Sequence, residues 1–394
     1  MNKFNRWYVV LGAILVQICI GSIYTWSLFN QPLMEVYGWQ SNEVYLTYSI
    51  AIFVFALTTI FSGKLQDKIG PKKVATIGVL LYGGGLMLCS TVTSLFQLYV
   101  FYGLIAGAGV GFAYVCPLST CLKWFPEKKG FITGVAVGSF GLGSLVFKSV
   151  IEYFIASSGV LTTFLYLGFI CTVFGLIGSQ FLINPQNNLD DKTSKYKDNN
   201  DFTVKQMLKT KSFYLLWIIL LLGSLSGLLI IGLAKDIGTD LAGLDDFVAA
   251  GAVSMIAIFN AGGRIIWGAI SDKAGRINII KLLFLLTVVS LITMSFVELN
   301  YVLFFVCVAS IAFSFGGIMA IFPAITSEYY GNENVGANYG LIFQAYGVGA
   351  LVGPIIVSSV GEFQATFLIA AMLSLLGGVL TFIVPPPNCR MSKN

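Results

Sequence analysis

An arginine and an asparagine one helical turn apart, Asn260 and Arg264, interrupt an apolar stretch, SMIAIFNAGGRIIWGAISDKAGR, at residues 254 to 276. Arginine presents a planar fork of N–H donors that matches a carboxylate with two parallel hydrogen bonds, whereas lysine acts as a point charge. Placed mid-way along a membrane helix, an arginine costs about 2.5 to 3.5 kcal/mol on insertion scales, so it is expected to line a cavity or meet a partner. Arg264 lies eight residues from Asp272, where the charged segment begins. At 1.5 Å per residue that is about 12 Å, a long reach for a snorkelling side chain. The acids of the chain cluster at the ends of apolar runs and in the stretches between them. The simplest missing counterion is therefore an anionic solute. Asn260, at i−4, shares the helix face and is expected to steady the guanidinium or donate to a solute oxygen. The competing expectation is a structural arginine bonded to backbone carbonyls at a helix break near Gly262 and Gly263.

Composition dictates the medium in which this pair must work. The 394 residues are 57% hydrophobic and 10% charged, against roughly 25% charged for a soluble domain. Apolar stretches of about 20 residues, enough to cross some 30 Å of hydrocarbon, recur along the chain. Histidine is absent, which removes the commonest general base and metal ligand. The seven cysteines form no CxxC pair, and no GxxxxGK[ST] loop is present. Neither a metal site, a cofactor nor ATP is expected, and no nucleophile–base pair suggests an enzyme. A channel would need rings of filter residues, and none is evident.

Charge-to-charge counting predicts twelve spans, near 7–30, 44–62, 74–93, 95–122, 131–155, 160–183, 213–234, 247–270, 279–297, 301–323, 336–358 and 363–384. With both termini cytoplasmic, 20 of the 23 basic residues fall on the inner side, leaving Lys235 outside and Lys148 and Arg264 within spans. The positive-inside rule selects that topology. The net charge of +5 is then a topological signal and not a sign of nucleic-acid binding. Residues 184–212 form the long polar stretch and divide the chain into halves at 1–183 and 213–394, with a partly disordered cytoplasmic linker between.

The halves repeat. GKLQDKIG (63–70) and GAISDKAG (268–275) share GxxxDxxG at an offset of 205. Pro117, Gly130, Gly134, Gly141 and Gly143 recur as Pro323, Gly336, Gly340, Gly347 and Gly349 at an offset of 206. A parallel repeat of this size suits two bundles rocking about a midplane site. In the loop itself Gly63 and Gly70 permit a tight reversal, and Asp67, like Asp272 in the second half, is expected to pair with nearby cations or with helix N-termini. These residues, with Arg276, form a candidate cytoplasmic gate.

GKLQDKIGPKK resembles the signature loop of the major facilitator superfamily, and the resemblance extends over essentially the whole chain. The stretches GSIYTWSLFNQPL and ANYGLIFQAYGVGALVGP resemble the oxalate/formate exchanger family, which is similar to the monocarboxylate transporters. The resemblance implies an all-α membrane fold of twelve helices in two pseudo-symmetric halves, working by alternating access as a monomer in the plasma membrane. Pro71 departs from the pattern, since the superfamily more often has a basic residue there, and Lys72 and Lys73 are expected to take over its contact.

The resemblance also suggests the cargo. In the monocarboxylate transporters a polar residue four before the arginine of the eighth helix belongs to the substrate site, and Tyr114 resembles a tyrosine beside the substrate. Oxalate exchangers pair that arginine with a lysine in the eleventh helix, at the position aligned here with Tyr346. One cation implies one carboxylate, a small monocarboxylate such as lactate, pyruvate or formate. Gln17 and Tyr24 on the first helix, Phe315 on the tenth, and Phe343 and Tyr346 on the eleventh are expected to complete the cavity. Proton coupling is expected, through rim acids such as Asp236, Asp240, Asp245, Asp246 or Glu328 or with a protonated acid as cargo; the alternative is anion exchange of the oxalate/formate type, in which the arginine crosses only when loaded.

Overall fold

The computed structural model describes residues 5–185, 201–360 and 362–387. These are helical throughout, with no strand among the described residues. The even spread of apolar residues around the long helices fits a lipid solvent, in which only helices or closed barrels satisfy their own backbone.

All twelve expected spans are helices, and eleven among the described residues are long and apolar enough to cross a bilayer. The first half contains Trp7–Gly21 continued by Ser27–Tyr37, then Ser41–Ile69, Pro71–Cys89, a fourth span ending in Gly107–Trp124, Lys129–Ser158 and Val160–Gln180. The second half contains Lys211–Asp240, Asp246–Ala274, Arg276–Phe296, Tyr301–Tyr330, Val335–Ile342 continued by Gln344–Val360, and Phe363–Leu380. The eighth span, Asp246–Ala274, completes the set as an unbroken 29-residue helix. The last glycine of each GxxxDxxG repeat stops its helix with a positive φ, 93° at Gly70 and 87° at Gly275, a conformation that a side chain would strain.

Three spans differ from the regular helices expected; the fourth widens into a π-helix over Tyr99–Ala106, and the first and eleventh are interrupted. The first tightens into a 3₁₀ turn over Ser22–Thr25. There the Ser22 hydroxyl donates to Cys19 O and the Thr25 hydroxyl to Ser22 O, both at 2.6 Å, a back-bonding habit that bends helices. The eleventh breaks at Phe343. Here the Gln344 side chain donates to Gly340 O at 2.9 Å, occupying the carbonyl that its own backbone N–H would otherwise take. Irregular backbone at this depth is tolerated where it borders a cavity.

The halves meet along two matching seams. Spans 5 and 8 pack so closely that a methyl on Gly130 or Gly134 would collide with Gly268 O or Arg264 O. Spans 2 and 11 do the same, Gly63 against Gly336 O and Gly340 against Thr59 O. The glycines that repeat in the sequence are thus used in equivalent places. These contacts seal the end of the bundle that carries the Gly70 and Gly275 turns, called the closed end below. The described part of the linker is anchored there: Phe202 N donates to Tyr330 O and Asn338 Nδ2 to Phe202 O, each at 2.9 Å. Residues 186–200, most of the linker expected to be loose, lie outside the described residues.

Because no side chain fits between these backbones, Gly63→Val and Gly268→Val should each push one seam apart, at a cost of about 1 to 3 kcal/mol. That is roughly a 5- to 150-fold shift away from the closed-end-sealed state. The shift is read as faster modification of a Gln66→Cys reporter, a residue fully buried in the seam, by a membrane-impermeant maleimide.

Candidate functional site: a cavity between the halves

A cavity of about 300 Å³ lies between the halves, lined at its inner end by Arg264, Asn260, Phe315, Tyr24 and Tyr346. From there its wall runs away from the closed end, along Leu145 and Lys148 of span 5 and Ser254 of span 8. Five of the eight residues expected at a binding site therefore line one cavity.

Arg264 is 3% exposed. Its Nη1 donates to Val137 O of span 5 at 2.6 Å, and the guanidinium lies against Gly141, where a Cβ would stand 3.1 Å from Nη1. Nε, also buried, has no hydrogen-bond partner among the described residues. Among the described residues Arg264 makes no ion pair. The carbonyl bond recovers one part of the competing expectation, yet it comes from the opposite half and not from a break at Gly262 and Gly263, through which span 8 runs unbroken. One carbonyl cannot neutralise a guanidinium with five donors, so the remainder of the fork is left for the cavity. Asn260 lines the same wall but makes no hydrogen bond to Arg264 among the described residues; its carbonyl is pressed against Gly316 of span 10.

The remaining three residues do not reach the cavity. Gln17 is fully buried and donates to Tyr114 O at 3.2 Å. Tyr114 and Phe343 lie behind the wall because they belong to a closed circuit of rings. Tyr24 meets Phe140 edge-on, Phe140 meets Tyr114, Tyr114 meets Phe343, and Phe343 stacks on Tyr346, with centroids 5.0 to 5.1 Å apart. The Tyr346 and Tyr24 hydroxyls close the circuit across the two halves at 2.9 Å. Phe55 touches Tyr114, Phe140 and Phe343 from within. This aromatic floor separates the cavity from the closed end. Phe140 and Phe55 were not singled out by sequence, where they are two phenylalanines among 32.

At the closed end both repeat aspartates grip the first turn of a helix from the opposite half. Asp67 Oδ2 accepts from Ala337 N at 2.9 Å. Asp272 accepts from Gly130 N and Phe131 N at 2.8 and 2.9 Å. A carboxylate on unpaired N–H groups at the positive end of a helix dipole is a favourable, charge-assisted contact. Arg276 pairs with Asp272 at 2.6 Å and with Glu328 at 2.9 Å, which moves Glu328 from the cavity rim, where it was expected, to the closed end. Lys72 and Lys73 correct another expectation. Both are exposed, and the cation that meets Asp67 is Lys123 of span 4, at 3.3 Å. Helix 71–89 starts at Pro71 and buries Pro71 and Val74 of its first turn, which leaves the two lysines between them on the exposed face. Of the other rim acids, Asp240 accepts from its neighbour Thr239, Asp245 precedes span 8 as its N-cap, and Asp236 and Asp246 lie outside the residues whose side chains are described.

With this geometry in view, comparison with known proteins is informative. The family model of the Major Facilitator Superfamily matches residues 9–354. The chain belongs to that superfamily. It is 35% identical over 88% of its length to an uncharacterized major facilitator transporter, YhjX, of Escherichia coli, covering 86% of that protein. It is 30% identical over 97% of its length to the oxalate:formate antiporter of Oxalobacter formigenes, covering 92% of it. Apicoplast pyruvate carrier 1 of Toxoplasma gondii is 22% identical, over 87% of this chain and 82% of the carrier. Among solved structures, the proton:xylose symporter XylE superposes with a TM-score of 0.77 over 98% of this chain and 97% of XylE. FucP in its outward conformation gives 0.71 over 96% and 99%. Both are 14% identical and speak to fold alone. As a major facilitator this chain is a membrane transporter and not an enzyme.

A charged hydrogen bond contributes about 1.5 to 3 kcal/mol. Asp67→Asn and Asp272→Asn, which weaken the grip on the opposing helix, should slow transport roughly 10- to 100-fold while leaving abundance in the membrane near that of the parent. Initial rates normalised to immunoblot signal measure this; parallel loss of rate and abundance would mean that the aspartates only stabilise the fold.

Proposed function

We propose that this transporter carries a small monocarboxylate, of the lactate, pyruvate or formate type, by alternating access about Arg264. The observation that carries the reading is a buried guanidinium on the cavity wall with one carbonyl partner and, among the described residues, no acid. A carboxylate docked on the free edge of the fork would form two parallel hydrogen bonds in a low-dielectric site, where such pairs are strong. Asn260 and the Tyr24 and Tyr346 hydroxyls are placed on the same wall to orient its remaining atoms. The aromatic floor closes the cavity below the cargo. The curated relatives support the class: one is named for oxalate and formate, another for pyruvate.

The closed end is assigned to the cytoplasm on the strength of the basic residues gathered there, including Lys64, Lys68, Lys72, Lys73, Lys123, Lys128 and Lys129. The cavity then faces the outside of the plasma membrane. During transport the aspartate grips and glycine seams at residues 63–70 and 268–276 release while the opposite end closes over the loaded site.

Coupling has two readings. Proton symport would follow if the acid crosses protonated or a rim carboxylate relays the proton. Exchange is favoured by a specific feature: no described residue on the cavity wall is an acid, so no described carboxylate there takes the place of the cargo beside Arg264. Acidifying the outside of vesicles empty of anion separates the two. Uptake that rises marks symport, and uptake that waits for preloaded anion marks exchange.

Arg264→Lys keeps the charge but loses the fork, and Arg264→Ala loses both. Removing one partner of a buried charged pair costs about 2 to 5 kcal/mol, so the alanine variant should bind formate, lactate and pyruvate at least about 30-fold more weakly and the lysine variant should fall between. Thermal shift of purified protein over a concentration series measures this, since a ligand bound only by the folded state raises apparent stability by mass action. Parent-like shifts or transport rates in Arg264→Ala would overturn the reading.

A further inference from the structure

A second cation reaches the cavity that holds Arg264. Sequence spacing assigns Lys148 to a local pair with Glu152, and the pair is present, though loose: Nζ stands 3.9 Å from Glu152 Oε1, with the lysine side chain 47% and the glutamate 51% exposed. Pairs of this kind contribute about 0 to 1 kcal/mol, so Glu152 competes weakly for the ammonium.

The position of Lys148 is more telling than its partner. Span 5 carries Gly141, against which the guanidinium lies, then Ser144, then Lys148, all on the cavity wall. The intervals of three and four residues keep them on one helix face. Two turns, about 10 Å of helix, separate the level of the arginine from that of the lysine. Thr25, Ser27 and Ser254 add hydroxyls to the lining. Among the described lining residues Lys148 and Arg264 are the charged ones. An anion entering from the open end thus meets a half-exposed ammonium first, hydroxyls next and the buried guanidinium last. A like charge at the mouth of a low-dielectric cleft focuses field lines and raises the local concentration of an anion.

We infer that Lys148 is a capture site for carboxylate at the mouth of the cavity, restrained by Glu152, and that it governs how readily the cargo reaches Arg264 from the open side. This rests on the carboxylate reading of Arg264 and extends it to a residue that sets uptake affinity and sidedness.

Initial uptake of radiolabelled formate, pyruvate and lactate into oriented proteoliposomes, over a range of concentration and ionic strength, tests the inference. Lys148→Gln should raise KM about tenfold, the lower end of the range for electrostatic steering, at unchanged maximal rate, and should flatten the dependence on salt. Lys148→Arg should restore both. Glu152→Gln should lower KM. Transport entering from the opposite face should keep its parent KM in all three variants. An unchanged KM in Lys148→Gln, or a KM raised equally from both faces, overturns the capture site while leaving the role of Arg264 intact. Should Lys148→Gln fail to reach the membrane, Glu152→Gln decides alone, and an unchanged KM there is fatal. A parent protein that carries and binds none of the three acids overturns the carboxylate reading, and the capture site falls with it.

Discussion

A permanent positive charge held away from water must be answered by negative charge, by dipoles or by a cavity. In this transporter Arg264 draws on one dipole, the Val137 carbonyl, and on the cavity. Much of the architecture around it serves that condition. Gly141 and Gly134 let span 5 approach closely enough to supply the carbonyl. The 3₁₀ turn of span 1 carries Tyr24 and Thr25 of the wall, and the break of span 11 lies just before Tyr346. Rings from both halves then close the inner end. The charge is tolerable because it is placed where the two bundles meet, and that placement makes it responsive to their relative position.

The same economy appears at the closed end. Two aspartates 205 positions apart perform one operation twice, each accepting N–H groups from the first turn of a helix in the other half. Backbone groups are well suited to a reversible seal. Their partners are set by geometry, and on separation water can satisfy them at small net cost.

The sequence made some of this legible and hid the rest for physical reasons. Asp67, Asp272 and the repeated glycines announce themselves, because a tight reversal and a backbone-to-backbone seam admit few residue types. Arg264 is conspicuous for the opposite reason, since an apolar run makes its cost plain. Val137 could not be found that way: it contributes a carbonyl, which every residue has. Phe140 and Phe55 are hidden among many phenylalanines, and only the fold shows which rings share a floor. Lys72 and Lys73 were assigned by proximity along the chain to a contact that Lys123, more than fifty residues away, makes in space. Phe343, placed by its helix face, and Tyr114, placed by resemblance, both lie one layer behind the cavity wall.

The internal duplication is broken at one telling place. Arg264 stands 205 positions after Thr59, so the two side chains occupy corresponding points of the two seams. Thr59 donates to Gly340 O at 3.1 Å and is satisfied locally, whereas its counterpart retains capacity for a guest. One copy of the repeat is therefore a plain fastener, while the other sets a guanidinium on the cavity wall. The two seams are thus alike in backbone and unlike in chemistry: one is closed by a hydroxyl, the other carries a permanent charge.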